Sequence, residues 1–278
     1  MIARHGEMHM ASGPEGLMEN TAPMLPYEDL SQLEKEALEE AIRMAWARLP
    51  EAAMPLGIDL MMTDEESTTR LLRDEIDKLR TDIAQLVPGF SEETFQHIPE
   101  SENVSDSSGL LAKAHQKKPD LVFRPVHLPR ALRGKVPSSR YGLFVECKII
   151  HRSTDHRGIS DYCGNDGLLR FIDGRYASGM PSGMMIAYVR THDDVSTSLA
   201  PHLLDPKCRA DYEVIADPAL CKVRRPAAPP IYVSKHGRSK VTVGGIATGS
   251  IEIAHLWLRV PGAPSVAPNP SRRTLTAR

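Results

Sequence analysis

Two apolar runs that carry charged residues constrain the fold of this chain more than any other feature. The first, KKPDLVF, covers residues 117–123, and the second, YGLFVECKII, covers residues 141–150. Both have the length and composition of buried strands. Asp120 nevertheless lies at the start of the first apolar run, and Glu146 and Lys148 lie inside the second. Because charges in such runs are costly unless they are paired, hydrated or bound to metal, these three side chains need partners.

Strand geometry suggests how the three charges meet. Glu146 and Lys148 project from the same face of a strand, one pleat apart. If the run 120–124 pairs antiparallel with 141–150, Asp120 can reach Glu146. Two neighbouring carboxylates repel each other, and a divalent cation relieves that repulsion.

The expected cation is Mg²⁺ or Mn²⁺, because both ions prefer hard oxygen ligands. Such an ion can bind a phosphate oxygen and lower the pKa of a bound water. A lysine beside it can orient the water and offset negative charge that develops in the transition state. The residue types therefore fit metal-assisted phosphodiester hydrolysis. The alternative is an edge strand with a solvated face and a surface ion pair, since lysine is common on edge strands.

Composition limits the other function classes. The chain has 278 residues, 41% of them hydrophobic, with a mean hydropathy of -0.30, a net charge of -2 and a pI near 6.6. These values are typical of a globular protein without a global basic excess. Neither a membrane-spanning run nor a secretory signal is evident. The cysteines lack CxxC spacing, which favours a reduced, cytoplasmic protein without structural zinc; they are Cys147, Cys163, Cys208 and Cys221.

Helical signals precede the charged runs. We interpret residues 1–27 as a mobile arm, 28–260 as a single domain and 261–278 as a disordered tail. Ser31 and Glu34 match a capping box and introduce a helix over 32–49. A second helix is predicted from Thr63 or Asp64 to just before Pro88, with one apolar face; its members are Leu72, Ile76, Leu79, Ile83 and Leu86.

The remaining pattern indicates a mixed α/β core and not a regular βαβ array. A weak strand is predicted at 95–98, a helical pattern within 160–180 and a buried strand at 183–190. The segments PIYVSKHGR and IEIAHLWLRV are predicted to form a late strand pair. After the strand at 183–190 and before the first of these two segments, we expect helical or irregular structure with Pro-rich punctuation at 226–230.

Pro119-Asp120 and Glu146-Cys147-Lys148 resemble the PD-(D/E)xK, or restriction-endonuclease-like, nuclease superfamily, and the resemblance extends over roughly residues 60–190. It implies a mixed central sheet flanked by helices. It also implies metal binding by Asp120 and Glu146, with Lys148 as the catalytic lysine.

Members of the superfamily often add a glutamate from a helix that precedes the sheet. Glu65 is in helical phase with Leu72 and Ile76, and therefore faces inward, whereas Glu66 falls on the solvent side. We therefore assign Glu65 to the site. The alternative is a first-turn acid favoured by the helix dipole.

Further residues are candidates for nucleic-acid binding. Arg170, Arg175 and Tyr176 could contact phosphate or a base, or could be a solvated face and a core tyrosine. His236 and Arg238 alternate with Ser234 along one strand face, with His255 on the next strand. They could line a nucleic-acid groove or form an ordinary exposed face. The basic series within 124–140 could hold a DNA backbone or be a mobile, solvated loop.

The leading hypothesis is a Mg²⁺-dependent (or Mn²⁺-dependent) endonuclease that hydrolyses phosphodiester bonds in DNA. By analogy with small proteins of this superfamily, its expected role is bacterial anti-phage (antiviral) defence. The expected protein partner is a recruiting or regulatory subunit, or a second copy of the chain in a homodimer. One alternative is a non-catalytic nucleic-acid-binding or scaffolding subunit. Another is an interaction protein whose functional surface is formed by the helices of residues 28–87.

Overall fold

The computed structural model describes residues 25–98, 118–151, 158–220 and 230–264, which form a mixed α/β fold around a six-stranded sheet. The helices are α1 (Gln32–Ala53), α2 (Glu65–Arg80), α3 (Ile159–Cys163), α4 (Leu169–Ile172), α5 (Ala200–Leu204) and α6 (Pro206–Asp211). The strands are β1 (Leu121–Phe123), β2 (Leu143–Ile150), β3 (Ser182–Val189), β4 (Val214–Leu220), β5 (Ile231–His236), β6 (Thr242–Val243), β7 (Ile246–Ala247) and β8 (Ile251–Arg259).

The central sheet combines parallel and antiparallel pairs in the order β1-β2-β3-β8-β5-β4. β2, β3 and β8 are parallel to one another, whereas β1, β5 and β4 each pair antiparallel with their neighbours. β6 and β7 form a separate hairpin. The predicted late strand pair is confirmed as β5 and β8.

β2 lies inside the sheet, between β1 and β3, and all eight of its residues are buried. The alternative of an edge strand with a solvated face is therefore wrong for this strand. Glu146 is 1% exposed and Lys148 is 9% exposed. Because both side chains are buried, their charges must be balanced by partners inside the protein.

α1 begins as the sequence predicts and ends later. Ser31 and Glu34 form the reciprocal capping box, and the predicted apolar face is buried. The helix continues through Pro50 to Ala53 before Gly57, at φ +65°, ends the following turn. Trp46 stacks on Tyr188 of β3, with ring centroids 5.3 Å apart. This contact holds α1 against one face of the sheet.

α2 ends earlier than predicted. Its last residue is Arg80, and Thr81 caps the helix with its amide donating to the Asp77 carbonyl. The chain then turns, with Gln85 at φ +45°, so that Ile83 is 99% exposed and Leu86 is 44% exposed. The prediction that these two residues extend the apolar face was wrong, because the helical phase no longer applies beyond the turn.

Three further elements differ from the sequence prediction. The weak strand at 95–98 is reduced to a single bridge between Phe95 and Pro125. The helical pattern within 160–180 forms two short helices, α3 and α4. β4 lies where irregular or helical structure was expected, and its register with β5 is irregular. Its mostly exposed residues give no apolar periodicity to detect.

One continuous hydrophobic core includes residues from Tyr27 to Val260. Of the predicted arm, residues 1–24 lie outside the described residues, while Tyr27 is buried and its amide donates to the Gly179 carbonyl. Most of the predicted tail, residues 265–278, also lies outside them. In the described ranges, no helix has the length and apolar character needed to cross a bilayer.

Candidate active site

The pairing of β1 with β2 brings the two predicted metal ligands to the same position in the sheet. Leu121 pairs with Val145 in antiparallel register, so that Asp120, one residue earlier, lies opposite Glu146. Oδ2 of Asp120 accepts a hydrogen bond from the Cys147 amide at 2.7 Å. The predicted antiparallel pairing and the proximity of the two carboxylates are confirmed.

Lys148 bridges the strand and the helix that precedes the sheet. Its Nζ lies 2.7 Å from Oε1 of Glu65 and 2.9 Å from Oε1 of Glu146. Oε2 of Glu65 also accepts from the Ile149 amide at 3.1 Å. Glu65 is the first residue of α2, after its N-cap Asp64, so the predicted inward orientation is confirmed, and Glu66 is exposed.

Arg170 of α4 supplies a second cation to the same glutamate. Its guanidinium donates to Oε1 of Glu146 at 2.7 Å and to the Tyr176 hydroxyl at 2.8 Å, and it also pairs with Asp166. Arg170 is 4% exposed. It therefore holds Oε1 of Glu146 inside the fold.

Close packing brings α4 near enough to the sheet for this contact. A Cβ atom built on Gly183 of β3 would lie 2.6 Å from the Phe171 ring, which is closer than side chains tolerate. The absence of a side chain at Gly183 therefore lets Phe171, the residue after Arg170, pack directly on the strand. Any larger residue would push α4 and Arg170 away from Glu146.

The other carboxylate oxygen of Glu146 is left without a partner. Oε2 is buried, and no donor from the described part of the chain contacts it. A buried acceptor without a partner costs free energy. Among the described residues, the carboxylates of Glu65, Asp120 and Glu146 share two neighbouring cations, Lys148 and Arg170. An additional positive charge would give the orphaned oxygen a partner and would favour ionisation of the buried acids.

Burial and neighbouring charges shift the pKa values of the acids and the lysine in this cluster. Burial raises the pKa of Asp120 to about 6, although Lys148 opposes the shift. Burial and the Asp120 charge raise the pKa of Glu146 to about 8 against the effect of Lys148 and Arg170. Burial alone would lower the pKa of Lys148, but the surrounding carboxylates outweigh it and raise that pKa. The lysine is therefore held as a cation beside two acids that resist full ionisation.

The residues predicted to bind nucleic acid divide into two groups. Arg170 and Tyr176 belong to the buried cluster, where their polar atoms bond to each other and to Glu146. Arg175 is exposed and pairs with Asp173 at 2.7 Å. Of these three, only Arg175 presents its charge to solvent, because the hydrogen bonds of the other two are made inside the fold.

His236 and Arg238 do not line an exposed groove. His236 is fully buried, with Nδ1 2.8 Å from the Tyr212 carbonyl oxygen. Arg238 is 3% exposed and donates to the carbonyls of Ala177 and Met180. Both expected settings, a nucleic-acid groove and an ordinary exposed face, place these side chains at the surface, which this geometry contradicts. β5 ends at His236, so Arg238 lies beyond the strand, and other parts of the chain cover both side chains.

His236 belongs to a buried chain of hydrogen bonds. The Ser234 hydroxyl lies 2.7 Å from Nε2 of both His236 and His255, and the Tyr162 hydroxyl lies 2.9 Å from Nδ1 of His255. Burial lowers the pKa of His236 to about 4 and that of His255 to about 3. Both imidazoles are therefore neutral near pH 7.

We expect the imidazole resonances of His236 and His255 not to shift between pH 5.5 and 8 in NMR spectra of the folded protein. In the urea-unfolded chain the same residues should titrate near 6.5. Because the folded state then binds fewer protons between about pH 4 and 6.5, this pair should lower stability as the pH falls through that range. Titration of either ring near pH 6.5 in the folded state would contradict the buried hydrogen-bond chain.

Two members of these clusters were missed by the sequence analysis. Asp166 pairs with Arg170 at i,i+4 spacing, which is a recognisable helical signal although α4 itself begins only at Leu169. Tyr162 contacts His255 from a distant part of the chain. No local pattern in the sequence indicates that second contact.

In the described ranges, no set of three or more His, Cys, Asp and Glu side chains is arranged to hold a metal ion. Mg²⁺, however, commonly uses one or two protein carboxylates and keeps several waters. Asp120 and the orphaned Oε2 of Glu146 therefore match its ordinary protein contribution. Comparisons with protein-family models, with curated proteins and with solved structures found no match for this chain.

Proposed function

We propose that this protein is a metal-dependent endonuclease that hydrolyses phosphodiester bonds in DNA. The observation that carries the proposal is the unpartnered Oε2 of Glu146 in a buried cluster with Asp120 and Lys148. A buried carboxylate oxygen without a donor calls for an explanation, and a bound cation would supply one. The order of charged residues also resembles the PD-(D/E)xK pattern, and the mixed sheet flanked by helices is compatible with a restriction-endonuclease-like fold.

Asp120 and Glu146 would hold Mg²⁺ or Mn²⁺ at the point where β1 and β2 pair. When bound, such an ion polarises a phosphate oxygen and lowers the pKa of a coordinated water. The chain itself supplies two fixed carboxylates on neighbouring strands. Their backbone and side-chain partners hold them in place before any ligand arrives, which reduces the reorganisation needed for catalysis.

Lys148 provides the fixed positive charge. Its ammonium group contacts Glu65, Glu146 and the Cys147 carbonyl, and its charge can offset negative charge that develops on the phosphate oxygens. Glu65 keeps this ammonium in place through the 2.7 Å ion pair and through its second bond to the Ile149 amide. Glu65 is thus a positioning residue for Lys148.

Arg170 and Tyr176 position Glu146. The guanidinium holds Oε1, so that Oε2 is the oxygen left for a ligand. The Tyr176 hydroxyl accepts from the same Arg170 nitrogen, which fixes the orientation of the guanidinium. We therefore assign these two residues to the support of the site and not to contact with nucleic acid.

The biological setting follows only by analogy with small nucleases of the superfamily. We propose a cytoplasmic role in bacterial defence against phage, with DNA as the substrate and with a partner protein or a second copy of the chain as a regulator. The near-neutral pI is compatible with a partner that adds to the protein's own contacts with nucleic acid.

The direct test is incubation of the purified protein with plasmid DNA, single-stranded DNA and RNA in Mg²⁺, Mn²⁺ or EDTA. We expect DNA cleavage that requires the metal and is abolished by EDTA. Calorimetric titration with Mn²⁺ should detect one site in the wild type and a weakened site in Glu146→Gln. Absence of both cleavage and Mn²⁺ binding would overturn the proposal.

A second candidate is a non-catalytic nucleic-acid-binding or scaffolding subunit. The ion pairs of Glu146 with Lys148 and Arg170 favour it, because they balance much of the buried charge without a metal. In that case the protein should bind nucleic acid equally well in Mn²⁺ and in EDTA. Calorimetry would then show no heat of metal binding.

A further inference from the structure

The connection between β1 and β2 differs in charge from the rest of the chain. From Leu121 to Phe144 the sequence contains five Arg or Lys and neither Asp nor Glu, whereas the whole chain has a net charge of -2. The five are Arg124, Arg130, Arg133, Lys135 and Arg140. This segment joins the two strands that carry the candidate metal ligands and leaves them at the end where Phe123 pairs with Leu143.

The connection is anchored to the core. Leu132 and Val136 are 4% and 5% exposed, and the amides of Lys135 and Val136 both donate to the Leu132 carbonyl at 3.1 Å. The preceding part is held by the segment before it, because the Gln96 amide donates to the Arg124 carbonyl at 2.9 Å. The charged side chains therefore project from a fixed platform.

Three of the cations, Arg130, Arg133 and Lys135, are exposed, and we call them the basic surface. Nε of Arg133 donates to the Leu128 carbonyl at 2.9 Å, which fixes one of them. In the part of the chain that the structure describes, none of the three forms an ion pair with an acidic side chain. Their charge is thus available to an external anion.

We propose that the basic surface binds the phosphate backbone of the nucleic acid whose phosphodiester bond lies at the Asp120–Glu146 site. A polyanion fits three exposed cations with no acid between them, and phosphate contacts position a nucleic acid without reading its sequence. The connection starts four residues along β1 from Asp120, which is ~13 Å at strand spacing. A nucleic acid would therefore extend about four nucleotide steps along one strand from the site to the start of the connection, and further to the basic surface. The inference rests on the proposed nuclease function for the identity of the polyanion.

The test is fluorescence anisotropy with labelled 30-nucleotide single strands and 30-base-pair duplexes, in EDTA, over a range of NaCl concentrations. The test variant is Arg130→Gln with Lys135→Gln, and the matched control is Lys207→Gln with Lys240→Gln. Both pairs are exposed and remove two charges. We expect the slope of log affinity against log salt to fall by about 2 for the test variant and to stay unchanged for the control.

Equal slopes in the wild type and both variants would overturn the basic surface, as would failure of the wild type to bind either nucleic acid. The proposal would also be overturned if the test variant lost binding to phosphatidylserine vesicles but kept its binding to DNA. Hydrolysis of bis(p-nitrophenyl) phosphate by the wild type reports on the catalytic site alone. If the wild type binds DNA with the expected change in salt slope but does not hydrolyse the phosphodiester, the nuclease proposal is refuted and the role of the basic surface is supported. If it hydrolyses the phosphodiester but the salt slope is the same in the test variant, the nuclease proposal is supported and the role of the basic surface is refuted.

Discussion

Lys148→Gln is expected to lower metal-dependent DNA cleavage by roughly 10²–10³-fold, the usual cost of removing one group that stabilises transition-state charge. Glutamine keeps a hydrogen-bond donor near Glu65 but carries no charge, so the substitution tests the ammonium itself. The measurement is the single-turnover rate of plasmid nicking in Mg²⁺. Urea unfolding of the same samples separates a chemical defect from a loss of folded protein.

Lys235→Gln is the matched control for this prediction. Lys235 also lies in a strand, but it is half-exposed and its 3.4 Å ion pair with Glu252 is at the surface. We expect the control to cleave at the wild-type rate, because a surface pair contributes little. A folded Lys148→Gln variant that retained full activity would refute the assignment of Lys148 as the catalytic lysine.

The second large effect concerns stability. Arg170→Met is expected to reduce the free energy of unfolding by about 3 kcal/mol, because it breaks a buried ion pair and leaves Oε1 of Glu146 short of one partner. Denaturant unfolding at pH 7 in EDTA measures this loss without any contribution from metal. Combining Arg170→Met with Glu146→Gln should recover part of it, since the two residues interact directly.

Arg175→Met serves as the control for Arg170→Met. Arg175 belongs to the same segment and pairs with Asp173, but both side chains are more than 40% exposed. We expect a change of less than about 1 kcal/mol. If Arg170→Met were equally mild and instead reduced the salt dependence of DNA binding, Arg170 would be a nucleic-acid contact, as the sequence alone allowed, and not a support for Glu146.

The local sequence pattern was sufficient to place three of the site residues. Strand alternation put Glu146 and Lys148 on one face, and helical phase chose Glu65 over Glu66. These inferences succeed because the 2-residue and 3.6-residue repeats fix side-chain direction within a single element. The same reasoning failed for Ile83 and Leu86, where the helix had already ended and its phase no longer applied.

The roles of Arg170, Tyr176, His236 and Arg238 depended on the tertiary structure. Arg170, His236 and Arg238 were predicted at the surface, as nucleic-acid contacts or as a solvated face, because charged or polar residues are usually solvated, whereas a core position was left open for Tyr176. Packing of α4 on Gly183 of β3 instead carries the first two into the cluster. His236 and Arg238 are covered by chain segments that are distant in sequence.

The sequence by itself determined which residues can meet, because the PD and ExK segments are strands whose charges must be compensated wherever they are buried. It also determined the helix that delivers Glu65. Only the tertiary structure decided that β2 lies inside the sheet, that Arg170 and Lys148 share one oxygen of Glu146, and that the other oxygen is left open. Those outcomes depend on strand order and on contacts between distant segments, which no local repeat encodes.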